Sequence, residues 1–181
     1  AGCLIHTASR VNQMKDHAAD PLVEFRRVNT EGTARLACQA AECGVRRFIF
    51  LSSIKVSGER TRLNRPFVAD DPATPEDPYG VSKMEAELAL RAISERSGME
   101  VTIIRPVLVY GPGAKGNLRS LLRWAASGLP APFGLIQNRR SFVGIDNLVD
   151  LILTCLDHPA AANQIFSVSD GEAISTAELF R

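Results

Sequence analysis

At 181 residues the chain is long enough for one compact domain and too short for two generous ones. Its composition, 45% hydrophobic and 23% charged, is that of a globular protein with a real core. With 21 basic against 20 acidic residues the net charge is +1, so no global field draws it onto nucleic acid or a membrane surface, and any anionic ligand must be met by a few placed cations.

The first residues, Cys3 to Ala8 after Gly2, form a short apolar run expected to be a buried strand. Asp20-Pro21 reads as a helix N-cap with proline at the first helical position. Leu22, Phe25, Val28, Ala34, Ala37 and Ala40 then recur at helical spacing from Leu22 to Cys43, and Gly44 stops the helix. Arg47 to Leu51 is a second buried strand ending in Ser52-Ser53. Gly58 to Asp77, polar and bordered by Pro66, Pro72, Pro75 and Pro78, is a long surface loop of the kind that carries function.

Tyr79 to Ser97 reads as a helix stopped by Gly98, and Val101 to Arg105 as a strand broken by Pro106. A Gly111-Pro112-Gly113 turn leads to a helix near Leu118 to Ala126 and a short strand around Phe142-Val143. A helix from about Asp146 to Leu156, a strand from Ile165 to Val168 and a starting helix before Arg181 complete the pattern. Alternating strands and helices at this spacing imply an α/β, doubly wound parallel sheet. The expected division is a partial dinucleotide-binding core over 1–110 and mixed core and substrate-binding segments over 111–181. No G-x-G-x-x-G turn lies between a strand and a helix, which is expected of a chain lacking the first part of such a sheet and cut at both ends.

Cys3, Cys38, Cys43 and Cys155 show no C-x-x-C pair or disulfide-framework spacing. They fall in apolar or helical runs and are expected to be reduced, buried thiols of a cytoplasmic protein, with no metal site. No run approaches the roughly 18 apolar residues of a membrane span. A basic n-region and a cleavage-like site are both lacking at the start, so no signal peptide is read.

The strongest chemical signal is Tyr79-Gly80-Val81-Ser82-Lys83. Positions i and i+4 share a helix face, so a phenol and an ammonium become neighbours, and the cation is expected to lower the phenol pKa toward a useful proton acceptor. A chance match would occur roughly one time in twenty. Ser52-Ser53 ends the preceding strand, where ligands bind in such sheets, and a hydroxyl there can donate to a reacting oxygen. The plainer reading is two serines that merely end a strand.

Four further segments accompany these residues: His6-Thr7-Ala8-Ser9; Asn29-Thr30-Glu31-Gly32-Thr33; Ser52-Ser53-Ile54-Lys55-Val56-Ser57-Gly58; and Arg105-Pro106 with Val109-Tyr110-Gly111-Pro112-Gly113. In this order they resemble the extended short-chain dehydrogenase family, the nucleotide-sugar epimerases and dehydratases, over essentially the whole chain. Ser57 departs from the family's usual tyrosine.

The resemblance implies Tyr79 as acid/base, Lys83 as its partner and ribose holder, and Ser53 as the hydroxyl that orients the reacting oxygen. It places Ala8, Ser9, Asn29, Pro106 and Val109 with Tyr79 and Lys83 at an NAD or NADP cofactor. Asn117 and Arg140, with Ser53, are implied to hold a UDP-sugar. An arginine fork suits a diphosphate, and Asn117 equally suits a helix cap.

Dehydratases of the family carry Asp-Glu where this chain has Ile54-Lys55, so dehydration is not expected. The activities left are a 4-epimerase of a UDP-hexose or UDP-N-acetylhexosamine and a 4-ketoreductase of a UDP-4-keto-6-deoxy sugar. A non-catalytic dinucleotide-binding relative is the reading outside catalysis. The segments from Gly116 to Val143 resemble the branch serving bacterial polysaccharide synthesis, in which Gly144 departs from an aromatic or histidine. Pairing of two copies through the two long helices is expected by the same resemblance.

Overall fold

In the computed structural model, which describes residues 2–11, 20–61, 65–113, 124, 127, 138–176 and 178, strand β1 (Cys3–His6) is followed by a long helical segment of three parts. These are α1 (Pro21–Phe25), a π-helical turn (Arg26–Glu31) and α2 (Gly32–Glu42). Then come β2 (Arg47–Leu51), a 3-10 turn (Ile54–Val56), α3 (Pro78–Ser97) and β3 (Glu100–Pro106). β4 (Leu108–Tyr110), β5 (Arg139–Gly144), α4 (Ile145–Asp157), β6 (Ile165–Val168) and β7 (Ala173–Ser175) complete the order. By its contacts the chain divides into Ala1–Arg105 with Ile152–Ser167, and Pro106–Leu151 with Val168–Arg181.

In the first unit the sheet order is β1-β2-β3-β6, with β1, β2 and β3 mutually parallel. Alternation along the strands sends Phe48 and Phe50 of β2, and their partners Val101 and Ile103 of β3, to one face. There they meet Ala37 and Ala40 of α2 and Ala86, Leu90 and Ile93 of α3. The alanines let both helices approach closely, and truncating Phe48 or Phe50 to alanine would cost about 3–5 kcal/mol.

On the other face Thr102 donates to the Ala161 carbonyl at 2.7 Å. Arg47, 1% exposed, reaches the last turn of α4: Nη1 donates to the carbonyls of Cys155 (2.6 Å), Leu156 (3.3 Å) and His158 (2.9 Å), and Nε to Glu100 (2.8 Å). A cation there satisfies carbonyls that the helix itself leaves unpaired. The parallel sheet with helices is the α/β architecture expected.

Several elements differ from expectation for physical reasons. β1 ends at His6 and is not a fully buried strand: it lies at one end of the sheet order, and Ile5 is 42% exposed. In the long helical segment the buried stripe is Phe25, Asn29, Thr33, Ala37 and Ala40, while Val28 is turned outward. A π turn holds more than four residues, so spacing of four keeps Asn29 inward where a regular helix would favour Val28.

Asp20 caps as expected, accepting from the amides of Leu22 and Val23, and Gly44 and Gly98 take the left-handed conformation at helix ends (φ +72° and +73°). α3 starts one residue early, at Pro78, because Asp77 caps it. β3 includes Pro106 as its last residue, so the strand stops at the proline as expected. Cys38 and Cys43 are exposed, Cys3 is half-buried and Cys155 is buried; all four are free.

In the second unit β5 pairs parallel with β4 and antiparallel with β7, a strand not expected from the sequence. The Asp170 carboxylate fastens this unit, accepting from the Tyr110 hydroxyl, the Gly144 amide and the Asn147 side chain at 2.8–3.0 Å. The helix expected near Leu118 to Ala126 and the one expected before Arg181 fall almost wholly outside the described residues.

Candidate active site

The C-terminal end of β2 is where the candidate residues gather. Beyond Leu51 the chain leaves the sheet, so Ser52 and Ser53 stand at the strand tip, and the 3-10 turn that follows carries Lys55. α3 enters beside it. Asp77 sets that entry: one carboxylate oxygen accepts from the Gly80 amide (2.6 Å) and the other from Lys55 Nζ (2.5 Å), which also pairs with Glu59 (2.7 Å).

Gly80 is required by closeness. A Cβ there would stand 2.9 Å from the Lys55 carbonyl and 3.1 Å from Pro75, so only glycine lets the first turn of α3 press against the loop.

Tyr79 is half-buried, its ring edge-on to Phe25 with centroids 6.0 Å apart. The Ser9 and Ser53 hydroxyls both act on its phenol as hydrogen-bonding partners. Burial raises the phenol pKa above its ordinary value; the two hydroxyls and the Lys55 ammonium pull it down, and the Asp77 carboxylate pushes it up. Ser9, Ser53 and Tyr79, from three different parts of the sequence, thus share one site.

One expectation is corrected: the Tyr79 pKa is raised, not lowered, because burial outweighs the groups that favour the phenolate, Lys55 among them. Lys83 is 1% exposed. Its Nζ donates to the Leu51 carbonyl at 2.7 Å and lies 4.2 Å from the centroid of the Phe50 ring, on whose plane His6 stacks. Burial lowers its pKa to about 8, with Glu87 opposing the shift. The side chain sits at the same strand end as Ser53, two residues away along the backbone it touches.

Asn29 is fully committed to protein. Its Nδ2 donates to the Arg10 carbonyl and to Ser82 Oγ, each at 3.0 Å, and its Oδ1 accepts from the Arg10 amide (2.8 Å) and Ser9 Oγ (3.1 Å). Those are all the bonds an amide side chain makes, so nothing remains for a bound group. Ser82 in turn donates to the Tyr79 carbonyl at 2.8 Å. The π turn therefore ties the loop after β1 to the helix that bears Tyr79.

Ala8 is exposed on that loop. Pro106 is buried at the end of β3, Val109 is half-buried in β4 and Arg140 is exposed in β5, all three within the second unit; Asn117 lies outside the described residues.

Sequence reasoning missed a buried ion pair beside the site. Glu87 (3% exposed) and Arg105 (4%) meet through two bonds of 3.0 and 2.6 Å, and Ser52 Oγ donates to the same carboxylate at 2.5 Å. The signal available was spacing: Tyr79, Lys83 and Glu87 fall at i, i+4 and i+8 on one helix face. Among the described residues no cluster of His, Cys, Asp or Glu could hold a metal ion, and no helix is long and apolar enough to cross a membrane.

The model of the NAD dependent epimerase/dehydratase family matches residues 1–169, and the chain belongs to that family. A UDP-glucose 4-epimerase of Vibrio cholerae is 57% identical over 179 residues, covering 98% of this chain and 55% of the relative. The N-acetyl-alpha-D-glucosaminyl-diphospho-ditrans,octacis-undecaprenol 4-epimerase of Escherichia coli O157:H7 is 33% identical, covering 84% and 46%.

Among solved structures, RMD from Pseudomonas aeruginosa complexed with NADPH aligns with a TM-score of 0.84 at 26% identity, over 99% of this chain and 64% of that one. The Bordetella bronchiseptica enzyme WbmG in complex with NAD aligns at 0.79 and 23%, over 99% and 54%, a likeness of fold. The chain spans about half the length of the curated relatives it matches.

Proposed function

We propose that the whole protein is an NAD(P)-dependent nucleotide-sugar 4-epimerase, acting on a UDP-hexose or UDP-N-acetylhexosamine, and that this chain carries its acid/base machinery. The observation that carries the reading is the gathering of Ser53, Tyr79 and Lys83 at the C-terminal tip of β2, where α/β sheets bind their ligands. The 57% identical relative, a UDP-glucose 4-epimerase, supports the substrate class.

The donor set suits a dinucleotide. An ammonium has three N–H donors, and Lys83 gives one to Leu51, leaving donors for ribose hydroxyls. When bound, the nicotinamide supplies a hydride acceptor and donor at the sugar carbon. Tyr79 takes the proton of the C4 hydroxyl and returns it to the same oxygen, while Ser53 donates a hydrogen bond to that oxygen as charge develops on it.

Ionising a buried phenol is unfavourable, and the Ser9 and Ser53 hydroxyls and the Lys55 ammonium offset that cost. Asn29 works from behind, orienting Ser9 and α3. The roles of Ala8, Pro106, Val109, Asn117 and Arg140 rest on the resemblance of their segments. Elimination of water lacks a second acid and base: Ile54 has no proton to give, and Lys55 is held by Glu59 and Asp77. Pairing of two copies through the helical segments is supported by Val23, Val28 and Leu88, apolar and 54%, 39% and 59% exposed.

Product analysis tests the reading. The whole protein, given UDP-N-acetylglucosamine, UDP-glucose or a UDP-4-keto-6-deoxy sugar, is expected to interconvert C4 epimers of one of the first two. Turnover of the 4-keto sugar alone would make it a reductase. Tyr79→Phe is expected to lower turnover by roughly a thousandfold or more while NAD still binds; turnover at the wild-type rate would remove Tyr79 from its role.

A further inference from the structure

We propose that Glu87 is a positioning residue of this site: it ties the strand tip that carries Ser53 to the helix that carries Tyr79. The inference rests on the acid/base reading above. Glu87 projects from α3 two helical turns beyond Tyr79, and its carboxylate accepts from Ser52 Oγ (2.5 Å), Arg105 Nε (3.0 Å) and Arg105 Nη2 (2.6 Å). Arg105, from β3, extends the grip with Nη1, which donates to Ser57 Oγ (3.4 Å) and the Ala69 carbonyl (3.3 Å).

Ser53 therefore sits on a six-residue segment, Ser52 to Ser57, whose two end side chains are held by the same ion pair. The Ser52 amide adds a bond to the Ile104 carbonyl at 2.7 Å. The Ser53 hydroxyl itself, besides partnering the Tyr79 phenol, accepts a long bond, 3.3 Å, from the Lys55 amide. Its position is set by what holds Ser52 and Ser57.

Stability alone does not account for such a pair. Burying two charges costs more than their attraction returns unless the geometry is excellent, and apolar residues of similar volume commonly serve as well. What apolar residues cannot do is accept the Ser52 hydroxyl and fix its direction. A hydroxyl displaced by about 1 Å from the reacting oxygen costs on the order of a hundredfold in rate.

The test uses the whole protein and variants that separate shape from hydrogen bonding. The double variant Glu87→Leu with Arg105→Met is expected to melt at or above the wild-type temperature, with KM for the UDP-sugar little changed and kcat lower by roughly a hundredfold. Ser52→Ala is expected to lower kcat about tenfold with the same unchanged KM, and Ser52→Thr, which keeps the hydroxyl, to restore most of it. A packing role predicts the reverse order, because threonine adds a methyl group at a position 4% exposed.

A second readout does not depend on turnover. Alkaline ultraviolet titration of Tyr79, isolated by difference against Tyr79→Phe, should show a higher midpoint in the double variant, since Ser53 leaves the phenol while Ser9, Lys55 and Asp77 stay. A wild-type kcat and an unmoved Tyr79 midpoint in the double variant would overturn the inference. Loss of kcat that tracks loss of melting temperature in every variant would overturn it too. Should the wild-type protein not epimerise at all, the parent reading fails, and the titration still decides whether Glu87 sets the Ser53–Tyr79 contact.

Discussion

Strand β2 has a buried cation at each end, and the two are held very differently. At its start Arg47 is 1% exposed and donates to three backbone carbonyls and the Glu100 carboxylate. At its end Lys83, equally buried, donates to one carbonyl and rests on the Phe50 ring. Arg47 has its charge answered on the spot. Lys83 does not, and burial lowers its pKa to about 8. The first arrangement closes a helix end; the second keeps donors in reserve at the strand end where ligands bind. Burial is the same at both ends, so the number of partners, not depth, is what distinguishes the two cations.

The two cations should respond oppositely to removal. Arg47→Met takes the donor from the Cys155 carbonyl, while Arg46 still serves Leu156 and Glu100, and is expected to cost about 1–3 kcal/mol of stability while the folded fraction keeps its specific activity. Lys83→Met relieves a burial penalty and is expected to leave stability equal or higher, with activity lower by roughly a hundredfold or more. Thermal melts and turnover on both variants check this; equal damage to both properties in both variants would erase the distinction.

The sign of the pH effect follows. Because Lys83 is harder to protonate folded than unfolded, its penalty is fully present below pH about 8 and is relieved as pH rises toward the unfolded value. The stability gap between wild type and Lys83→Met should therefore narrow above pH 8.

Gly80→Ala sharpens the same contrast at closer range. The new Cβ meets the Lys55 carbonyl at 2.9 Å, backbone that cannot swing aside. A cost of about 1–3 kcal/mol is expected, together with lower turnover, because the first turn of α3 must back away from the strand tip. Gly98→Ala, at the other end of the same helix, has open space but a left-handed backbone (φ +73°), so it should cost about 1 kcal/mol or more through backbone strain and leave turnover unchanged.

The smallest effect belongs to Lys55→Met, which leaves Asp77 uncompensated beside Tyr79. The limb of the pH–rate profile that reports the phenol should move up by less than about one unit, with turnover reduced a few-fold below it.

Much of this was legible before the structure. Strands β2 and β6, the caps at Asp20, Gly44 and Gly98, and the Tyr79–Lys83 spacing all lie in short windows where local period and turn chemistry decide the outcome. What was not legible depends on distance along the chain or on a single inserted residue. The π turn leaves no mark in a stripe read at 3.6 residues, so that reading puts Val28 on the buried face, where the structure has it 39% exposed. β7 is a short strand fixed by pairing with β5, more than thirty positions earlier. The Glu87–Arg105 pair joins a helix to a strand, and nothing in either window announces the partner. The i, i+4 spacing put Lys83 on the face of Tyr79, and the bond from its ammonium to the Leu51 carbonyl, across the sequence, could not be read from that window.

The most direct measurement is nuclear magnetic resonance of the Lys83 ammonium in the whole protein, assigned by loss in Lys83→Met and titrated with pH before and after adding NAD. A midpoint near 8 and a resonance that moves when NAD is added are the expected results. An ordinary lysine midpoint, near 10.4, with a resonance indifferent to NAD would show that this cation is as settled as Arg47 and that the strand end is not where the cofactor is held.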